Sequence, residues 1–95
     1  MAFVYILESL KDGKLYTGST VDLVRRLKQH RAGKVRATKS RLPIRLVYFE
    51  RLESTFAARQ REIFLKTPEG GAKKKKMIRQ FLAQNSDPEE LLQNY

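Results

Sequence analysis

Four side chains in the first third of the chain carry the functional groups that phosphodiester chemistry uses. Tyr5 and Tyr16 lie in two short strand-like triplets, and Arg26 and His30 follow in one helical stretch. Phenol and imidazole groups can donate or accept a proton, and a planar guanidinium can contact two phosphate oxygens at once. In a strongly basic chain, this combination favours reaction at a phosphodiester over passive binding.

The composition indicates one folded unit and a polyanionic partner. A chain of 95 residues with 41% hydrophobic residues suffices for one globular domain and is too short for a second independent core. Twenty Lys and Arg against ten Asp and Glu give a formal charge of +10. This charge suits DNA or RNA, although charge alone is also compatible with non-specific adhesion to nucleic acid and, less well, with an acidic membrane surface.

The absence of cysteine and of long apolar runs excludes several classes of protein. Without cysteine, the chain has no disulfide, no thiolate metal site and no thiol nucleophile. The longest apolar stretches, such as 46–49, are far too short to cross a bilayer, and the N-terminus lacks the basic-then-apolar pattern of a signal peptide. We therefore expect a cytoplasmic monomer without a membrane partner or a small-molecule cofactor.

A β-hairpin is predicted at the start of the chain. Within residues 2–10, the run Phe-Val-Tyr-Ile-Leu is apolar at both odd and even positions, which is typical of a strand covered on both faces. Asp12-Gly13 is a strong turn signal, and residues 14–18 resume as a second strand.

This hairpin determines how the two tyrosines are related. With Asp12 and Gly13 as the central turn residues, Ser9 pairs with Tyr16, and odd positions of the first strand face even positions of the second. Tyr5 and Tyr16 then share one face, with Cα atoms roughly 13 Å apart along the strands. A wider loop with the same parity would bring them closer.

The first predicted helix, 22–32, carries Arg26 and His30. Asp22 offers a capping oxygen at its start, and Gly33 supplies a terminating residue. Arg26 and His30 are four residues apart, so they lie on one face of the helix, adjacent to its apolar stripe. From there both side chains are expected to project over the edge of the sheet.

A loop, a third strand and a second helix follow. Residues 33–43 have no helical or strand period and are predicted to form a basic surface loop. Residues 44–51 are rich in β-branched and aromatic side chains, which favours a strand, and a helix over 54–66 ends before Pro68.

The last third is predicted to be helical. Gly70-Gly71 is expected to break the chain before an amphipathic helix that includes the lysine run 73–76, and a short terminal helix ends near Asn94. The predicted class is α+β, with a small three-stranded sheet in the order β-β-α-β-α-α flanked by helices. Residues 1–83 form the domain, and 84–95 are a helical tail packed on it or trailing it.

The chain resembles the GIY-YIG endonuclease family over roughly residues 3–78. The family's name describes two tyrosine-containing strand triplets at about the separation seen here. Each triplet alone is weak, but the ordered series is specific, and the likeness is to small stand-alone members with little more than this domain. The matching positions are Val4-Tyr5-Ile6, Tyr16-Thr17-Gly18, Arg26-Leu27, His30, Pro43, Leu46-Val47-Tyr48-Phe49-Glu50 and residues 58–66 with Arg61-Glu62 at their centre.

The resemblance implies a metal-dependent DNA endonuclease of the repair or recombination type. Glu62 would hold a single Mg²⁺ or Mn²⁺ ion, Arg26 would contact the phosphate, and the tyrosines would orient or deprotonate water. As a general base at neutral pH, Tyr5 would need neighbouring positive charge or hydrogen bonds, because the ordinary pKa of tyrosine is near 10. His30, where several members carry tyrosine, would hydrogen-bond or shuttle a proton rather than bind metal.

We expect DNA to be bound through its backbone and cut according to its shape. Branched, flapped or single-stranded DNA is favoured over plain duplex, because neither the basic loop nor the lysine run reads sequence. The expected backbone contacts are Arg25, Lys34, Arg36, Lys39 and Arg41. Arg26 rather than its neighbour Arg25 is assigned to catalysis because it precedes Leu27 and stands four residues before His30, the spacing that the family shows.

The orientation of the second helix decides whether Glu62 reaches the tyrosines. Its main apolar face leaves Glu62 at the surface, where Lys66 and Arg59 would pair with it. The members of that face are Phe56, Gln60, Ile63 and Phe64. A second, shallower stripe of Ala58, Glu62 and Leu65 would place the carboxylate against the sheet. The sequence leaves both orientations open.

Three departures from the family pattern keep other functions open. Val4 replaces the leading glycine, Thr17 replaces isoleucine, and Ser19 stands where some members carry a lysine that is a candidate for activating a tyrosine. Slow turnover, a narrow substrate range, or a catalytically silent nucleic-acid-binding module of the same fold is compatible with that loss. An adaptor that recruits another nuclease is a third alternative. In such proteins the tyrosines are half-buried strand aromatics and Arg26 is an ordinary helix arginine.

Overall fold

Three strands and four helices form the structure, and the computed structural model describes all 95 residues. The strands are β1 (Ala2–Ser9), β2 (Leu15–Thr20) and β3 (Ile44–Leu52). The helices are α1 (Leu23–Arg31), α2 (Thr55–Leu65), α3 (Pro68–Gln84) and α4 (Pro88–Leu92), and a short 3-10 turn covers Lys39–Arg41. The predicted α+β class, with a three-stranded sheet and flanking helices, is confirmed.

Strand β1 lies at the centre of the sheet, which has the order β2-β1-β3 with antiparallel neighbours throughout. Its position explains its composition, because a central strand covered on both faces has no solvated side for polar residues. Residues 2–7 are all buried. One face packs in a core that contains Tyr5, Leu27 of α1 and Leu92 of α4. Helix α2 packs on the other face through Ala58 and Leu65.

The β1–β2 hairpin brings the two tyrosines closer than the predicted register does. Tyr5 pairs with Gly18 and Leu7 pairs with Tyr16. The shared face is therefore confirmed, whereas the predicted pairing of Ser9 with Tyr16 is wrong by two residues. The cause is a wider turn, which the Ser9 hydroxyl stabilises by accepting hydrogen bonds from two backbone amides of the turn.

Helix α3 starts earlier than predicted and runs through the glycine pair that the sequence marks as a break. The Thr67 hydroxyl accepts a hydrogen bond from the Gly70 amide, and Pro68 occupies the first turn, where its missing N–H is not needed. Gly70 serves close packing, because a Cβ atom there would overlap the carbonyl oxygen of Phe64 at the end of α2. The prediction of a break is wrong because a glycine can also mark a contact between helices.

The basic segment 33–43 is folded more tightly than the surface loop predicted from its lack of period. Val35 and Thr38 are buried, and the 3-10 turn follows them. The basic side chains stay outside: Lys34, Arg36 and Lys39 are exposed, and Arg41 is half-buried. The burial of Val35 and Thr38 could not be predicted, because single buried residues in a segment without a helical or strand period leave no repeating hydrophobic pattern in the sequence.

The chain ends against the sheet. Leu92 is buried in the core, and Glu89 of α4 forms an ion pair with Arg31 of α1, with a closest N···O distance of 2.5 Å. None of the four helices combines the length and apolar character that crossing a bilayer requires.

Candidate active site

Tyr5 is fully buried in β1, and Gly18 of β2 leaves room for its hydroxyl group. A Cβ atom on Gly18 would lie 2.7 Å from the hydroxyl oxygen and 2.8 Å from Cζ of Tyr5, closer than real contacts allow. Tyr5 of the first triplet can therefore pack in this position only because the second triplet has glycine at position 18.

The Tyr5 hydroxyl group begins a buried chain of hydrogen-bonding groups. Its oxygen lies 2.8 Å from Nε2 of His30, and Nδ1 of His30 lies 2.7 Å from the Thr38 hydroxyl oxygen. His30 is fully buried, and this burial, assisted by the charge of Arg26, lowers its pKa to about 4. His30 is therefore neutral at physiological pH, and it is not the solvated cation that a helix end favours.

Arg26 supplies positive charge beside this chain. Burial raises the pKa of Tyr5 to about 12, although hydrogen bonding to the Arg26 guanidinium opposes the rise. The same contact raises the pKa of Arg26. Arg26 Nη1 also donates to Oε1 of Gln29 at 3.0 Å. Tyr5 therefore stays protonated, and the charge of Arg26 is not enough to make it a general base near neutral pH.

Tyr16 is the more accessible of the two tyrosines. It lies half-buried on the edge strand β2, and its ring centroid is 6.2 Å from that of Tyr5 and 5.3 Å from that of His30. The hairpin and α1 thus bring three of the predicted site residues into contact distance of one another.

A polar hollow of about 270 Å³ lies between the end of β2 and the start of α1. Arg25 and Arg26 both line it, together with Ser19 and Gln29. Two arginines suit an anion such as a phosphate, and the Asp22 carboxylate, which accepts from the Arg25 amide, is the one acidic group in the lining. Of the two arginines, Arg26 is the one beside Tyr5, and Arg25 is exposed.

Glu62 lies against the sheet, because α2 docks through the shallower of its two stripes. Ala58, Glu62 and Leu65 are the buried residues of α2. Phe56 and Ile63 belong to the more apolar face, yet they are 73% and 47% exposed. The small side chain of Ala58 lets the helix approach β1 and β2 closely, which the larger residues of the other face would prevent.

Three side chains hold the Glu62 carboxylate. Ser19 Oγ donates to Oε1 at 2.6 Å, Arg59 Nη1 approaches the same oxygen at 3.3 Å, and Lys66 Nζ donates to Oε2 at 2.7 Å. Burial opposes ionisation, but hydrogen bonds from Lys66 and Ser19 outweigh it and hold the pKa of the Glu62 carboxyl below its ordinary value. Glu62 is therefore a carboxylate at physiological pH, although the residue is only 5% exposed.

The donor set at Glu62 fits one hard divalent cation that keeps most of its water. No group of three His, Cys, Asp or Glu side chains lies together in the structure, so a metal at Glu62 would have at most two such protein ligands. Zinc sites use three or four protein ligands, whereas Mg²⁺ is often held by one or two carboxylates with water and phosphate oxygens. The ionised carboxylate therefore fits Mg²⁺ or Mn²⁺.

The Glu62 carboxylate and the two tyrosines lie on opposite faces of the sheet, and they come together at the edge strand β2. Successive side chains of a strand point to opposite faces, so Tyr16 lies with Tyr5 on the α1 face and Ser19 lies with Glu62 on the α2 face. Because β2 is an edge strand, Lys66 can reach around it. Its Nζ is 2.7 Å from the Glu62 carboxylate and 5.9 Å from the centroid of the Tyr16 ring. Groups from both faces meet at the free edge of β2.

The predicted backbone-binding residues flank the buried chain of Tyr5, His30 and Thr38. Arg25 lines the polar hollow, and Lys34, Arg36, Lys39 and Arg41 lie in the segment that Thr38 fixes against His30. They form a basic rim beside the α1 face.

The site contains three residues that the sequence did not predict as site residues, namely Thr38, Ser19 and Lys66. Thr38 lies in an aperiodic segment, and nothing marks it as the partner of His30. Ser19 is visible only as a departure from the family pattern, yet it holds Glu62. Lys66 stands four residues after Glu62, and this spacing indicates an ion pair between them. The spacing gives no sign that the Lys66 ammonium also lies near the Tyr16 ring.

A family model of the GIY-YIG catalytic domain matches residues 1–77. A UPF0213 protein of Streptococcus pneumoniae serotype 4 is 38% identical over 87 residues, which are 90% of this chain and 82% of that protein. A UPF0213 protein of Streptococcus sanguinis is 47% identical over 66 residues, which are 68% of this chain and 75% of that protein. A solution NMR structure of a UPF0213 protein from Bacillus halodurans is 37% identical and matches 95% of this chain and 92% of its own, with a TM-score of 0.47. The matched range contains both tyrosine triplets and Glu62, and the chain belongs to the GIY-YIG catalytic-domain family.

Proposed function

We propose that the protein is a metal-dependent endonuclease that hydrolyses phosphodiester bonds in branched, flapped or single-stranded DNA. The observation that carries this proposal is the ionised Glu62 at the edge of β2, beside Lys66 and Tyr16. A buried carboxylate is costly and repels phosphate, so a module that only binds the DNA backbone gains nothing from it. A divalent ion bound by Glu62 would stabilise negative charge on the phosphate and on the leaving oxygen. Membership of a nuclease family supports the same conclusion.

The two tyrosines have different roles in this mechanism. Tyr16 is half-buried at the strand edge, and its hydroxyl group accepts a hydrogen bond from the attacking water and orients it. Tyr5 is fully buried and has a pKa of about 12, so it stays protonated and positions its neighbours.

Arg26 binds a phosphate oxygen, and it lies beside the buried chain of Tyr5, His30 and Thr38. In one arrangement that these distances fit, Tyr5 Oη–H donates to Nε2 of His30, and Nδ1–H of His30 donates to the Thr38 hydroxyl oxygen. The Arg26 guanidinium lies beside the Tyr5 hydroxyl, where it opposes the rise in the pKa of Tyr5, and its Nη1 donates to Oε1 of Gln29 at 3.0 Å. None of the three buried groups changes charge between pH 5 and 8, so the charge of the groups beside Arg26 is constant over that range.

Substrate preference depends on the shape of the DNA. The exposed cations beside α1 contact phosphates, which every sequence presents alike. Selection among substrates therefore depends on how easily a DNA strand bends or separates to reach the edge of β2.

The test measures cleavage and DNA binding on the same proteins. The wild type is expected to nick a flapped or branched DNA with Mg²⁺ or Mn²⁺ and to lose that activity in a chelator. Glu62→Gln keeps the side-chain shape and is expected to slow cleavage by about 10²- to 10³-fold, with DNA affinity kept or increased. The control Glu53→Gln removes the same charge from an exposed residue before α2 and should leave cleavage unchanged.

Two outcomes decide against the proposal. Cleavage that survives both Glu62→Gln and Arg26→Ala unchanged would contradict the assigned site. Salt-sensitive DNA binding by the wild type, without any metal-dependent product, would instead support a catalytically silent binding module.

A further inference from the structure

The ammonium group of Lys66 occupies one oxygen of the Glu62 carboxylate. Ser19 and Arg59 hold Oε1, whereas Lys66 alone holds Oε2, at 2.7 Å. A metal cation that binds Glu62 through Oε2 must replace this ammonium, because two cations at one carboxylate oxygen repel each other strongly.

The carboxylate is fixed and the ammonium is mobile. The Glu62 side chain is 6% exposed, and the Lys66 side chain is 50% exposed. Lysine carries a compact charge on a flexible four-carbon stem, so Nζ can move while the backbone at the end of α2 stays in place. Exchange of the ammonium for another cation therefore needs no rearrangement of the fold.

The surroundings of Lys66 favour one direction of movement. On the α3 side, Lys74 lies close enough that burial, together with the charge of Lys66, lowers the pKa of Lys74. Like charge therefore opposes movement toward α3. On the β2 side, the Tyr16 ring centroid is 5.9 Å from Nζ, and an aromatic face attracts an ammonium.

We propose that Lys66 is an exchangeable cation, which holds Glu62 in the metal-free protein and turns to the DNA phosphate beside Tyr16 when a divalent ion binds. This inference rests on the proposed function and deepens it. Lys66 then supplies positive charge to the phosphate from α2, while the Ser19 hydroxyl keeps its hydrogen bond to Glu62. Metal binding and DNA binding become coupled through one lysine.

The experiment measures Mn²⁺ affinity without DNA, by titration calorimetry, and cleavage at saturating Mn²⁺. Lys66→Met removes the competing cation, so Mn²⁺ should bind about three- to tenfold more tightly. Cleavage by the same variant should slow by about tenfold or more, because the phosphate loses a cation. Lys66→Arg keeps a cation and should stay within about twofold of the wild-type affinity. Lys28→Met removes the same charge from an exposed site on α1 and should alter neither quantity by more than about twofold.

Opposite changes in affinity and cleavage distinguish this role from a structural one, which would lower both. Mn²⁺ affinity that is unchanged or weaker in Lys66→Met would overturn the inference, and the proposed function would stand if the wild type still cleaves. Tighter binding with unchanged cleavage would also overturn it, since Lys66 would then not act on the phosphate. A wild-type Mn²⁺ affinity that Glu62→Gln does not alter would contradict the proposed metal site itself.

Discussion

The two faces of strand β2 hold their functional groups by opposite means. On the α1 face, Tyr5, His30 and Thr38 are fully buried and uncharged at neutral pH. On the α2 face, Glu62 is ionised, and the two cations that hold it are half or more exposed. Burial fixes the position and the protonation of the first set. Ion pairs hold Glu62 on the α2 face, and an added cation can compete with the ammonium or guanidinium groups that form them.

Because of this difference, the buried groups on the α1 face hold their neighbours in position, whereas the ion-paired groups on the α2 face can exchange one cation for another. Changes to Tyr5, His30 and the glycine that accommodates Tyr5 should therefore alter mainly the free energy of unfolding, and changes to Glu62, Lys66 and Tyr16 should alter mainly metal binding and cleavage.

A large effect on stability is expected from Gly18→Ala. Its Cβ atom would meet the Tyr5 hydroxyl oxygen at 2.7 Å, inside the packed α1 face, and should lower the free energy of unfolding by about 3 kcal/mol. Gly71→Ala in α3 meets only an ordinary contact at 3.9 Å and should raise it by about 0.5–1 kcal/mol. Denaturant unfolding measures both. A Gly18→Ala protein as stable as the wild type would show that Tyr5 is not fixed by packing.

Acid should weaken the fold through His30. The unfolded chain takes up a proton near the ordinary pKa of 6.5, whereas the folded chain resists it until about pH 4, so the unfolded state binds more protons between these values. The free energy of unfolding should therefore fall as pH drops from about 6.5 to 4, by at most about 3 kcal/mol. His30→Gln lacks this titration and should show a shallower slope over that interval. Equal slopes for the two proteins would contradict the neutral, buried state of His30.

The two tyrosines should separate stability from activity. Tyr5→Phe leaves Nε2 of His30 without its partner and should lower the free energy of unfolding by about 1–2 kcal/mol. Tyr16→Phe removes the hydroxyl of the more accessible ring and should change stability by less than about 0.5 kcal/mol, while slowing cleavage by about 10²-fold. Unfolding curves and cleavage rates on both variants check the contrast. Equal effects of the two substitutions on stability would remove the distinction between the buried and the accessible ring.

The smallest effect is expected from Phe56→Ser. Phe56 is 73% exposed on the unpartnered face of α2, so its loss should change the free energy of unfolding by less than about 0.5 kcal/mol. Leu65→Ala, on the docked stripe that also contains Glu62, should cost about 2–4 kcal/mol. The reverse order in thermal or denaturant unfolding would mean that α2 docks through its more apolar face and turns Glu62 toward solvent.

The α1 face could be largely predicted from the sequence, because period and spacing decide most of it. Strand alternation predicted that Tyr5 and Tyr16 share a face, and the i, i+4 spacing predicted that Arg26 and His30 project together. The register could not be predicted, because it depends on the Ser9 hydroxyl widening the turn. Thr38 could not be predicted either, since its contact with His30 is formed by an aperiodic segment.

The α2 face could not be settled from the sequence, because hydrophobic pattern and docking disagree there. The pattern favoured Phe56 and Ile63 as the buried stripe, but the helix docks through Ala58, Glu62 and Leu65. The small side chain of Ala58 and the Ser19 hydroxyl of β2 favour this orientation, and Ser19 comes from a distant part of the chain, whereas Arg59 and Lys66 belong to α2 itself. Tertiary contacts of this kind leave no periodic signal.

Placing Mn²⁺ on the protein tests most directly whether the two faces form one site. Paramagnetic broadening of NMR signals, followed as Mn²⁺ is added in substoichiometric amounts, reports which side chains surround the ion. The structure predicts that signals of Lys66 and Tyr16 broaden first, from opposite faces of β2, and that Glu62→Gln abolishes the effect. Broadening centred on the acidic residues of α4, or insensitive to Glu62→Gln, would contradict a reaction centre at the edge of β2.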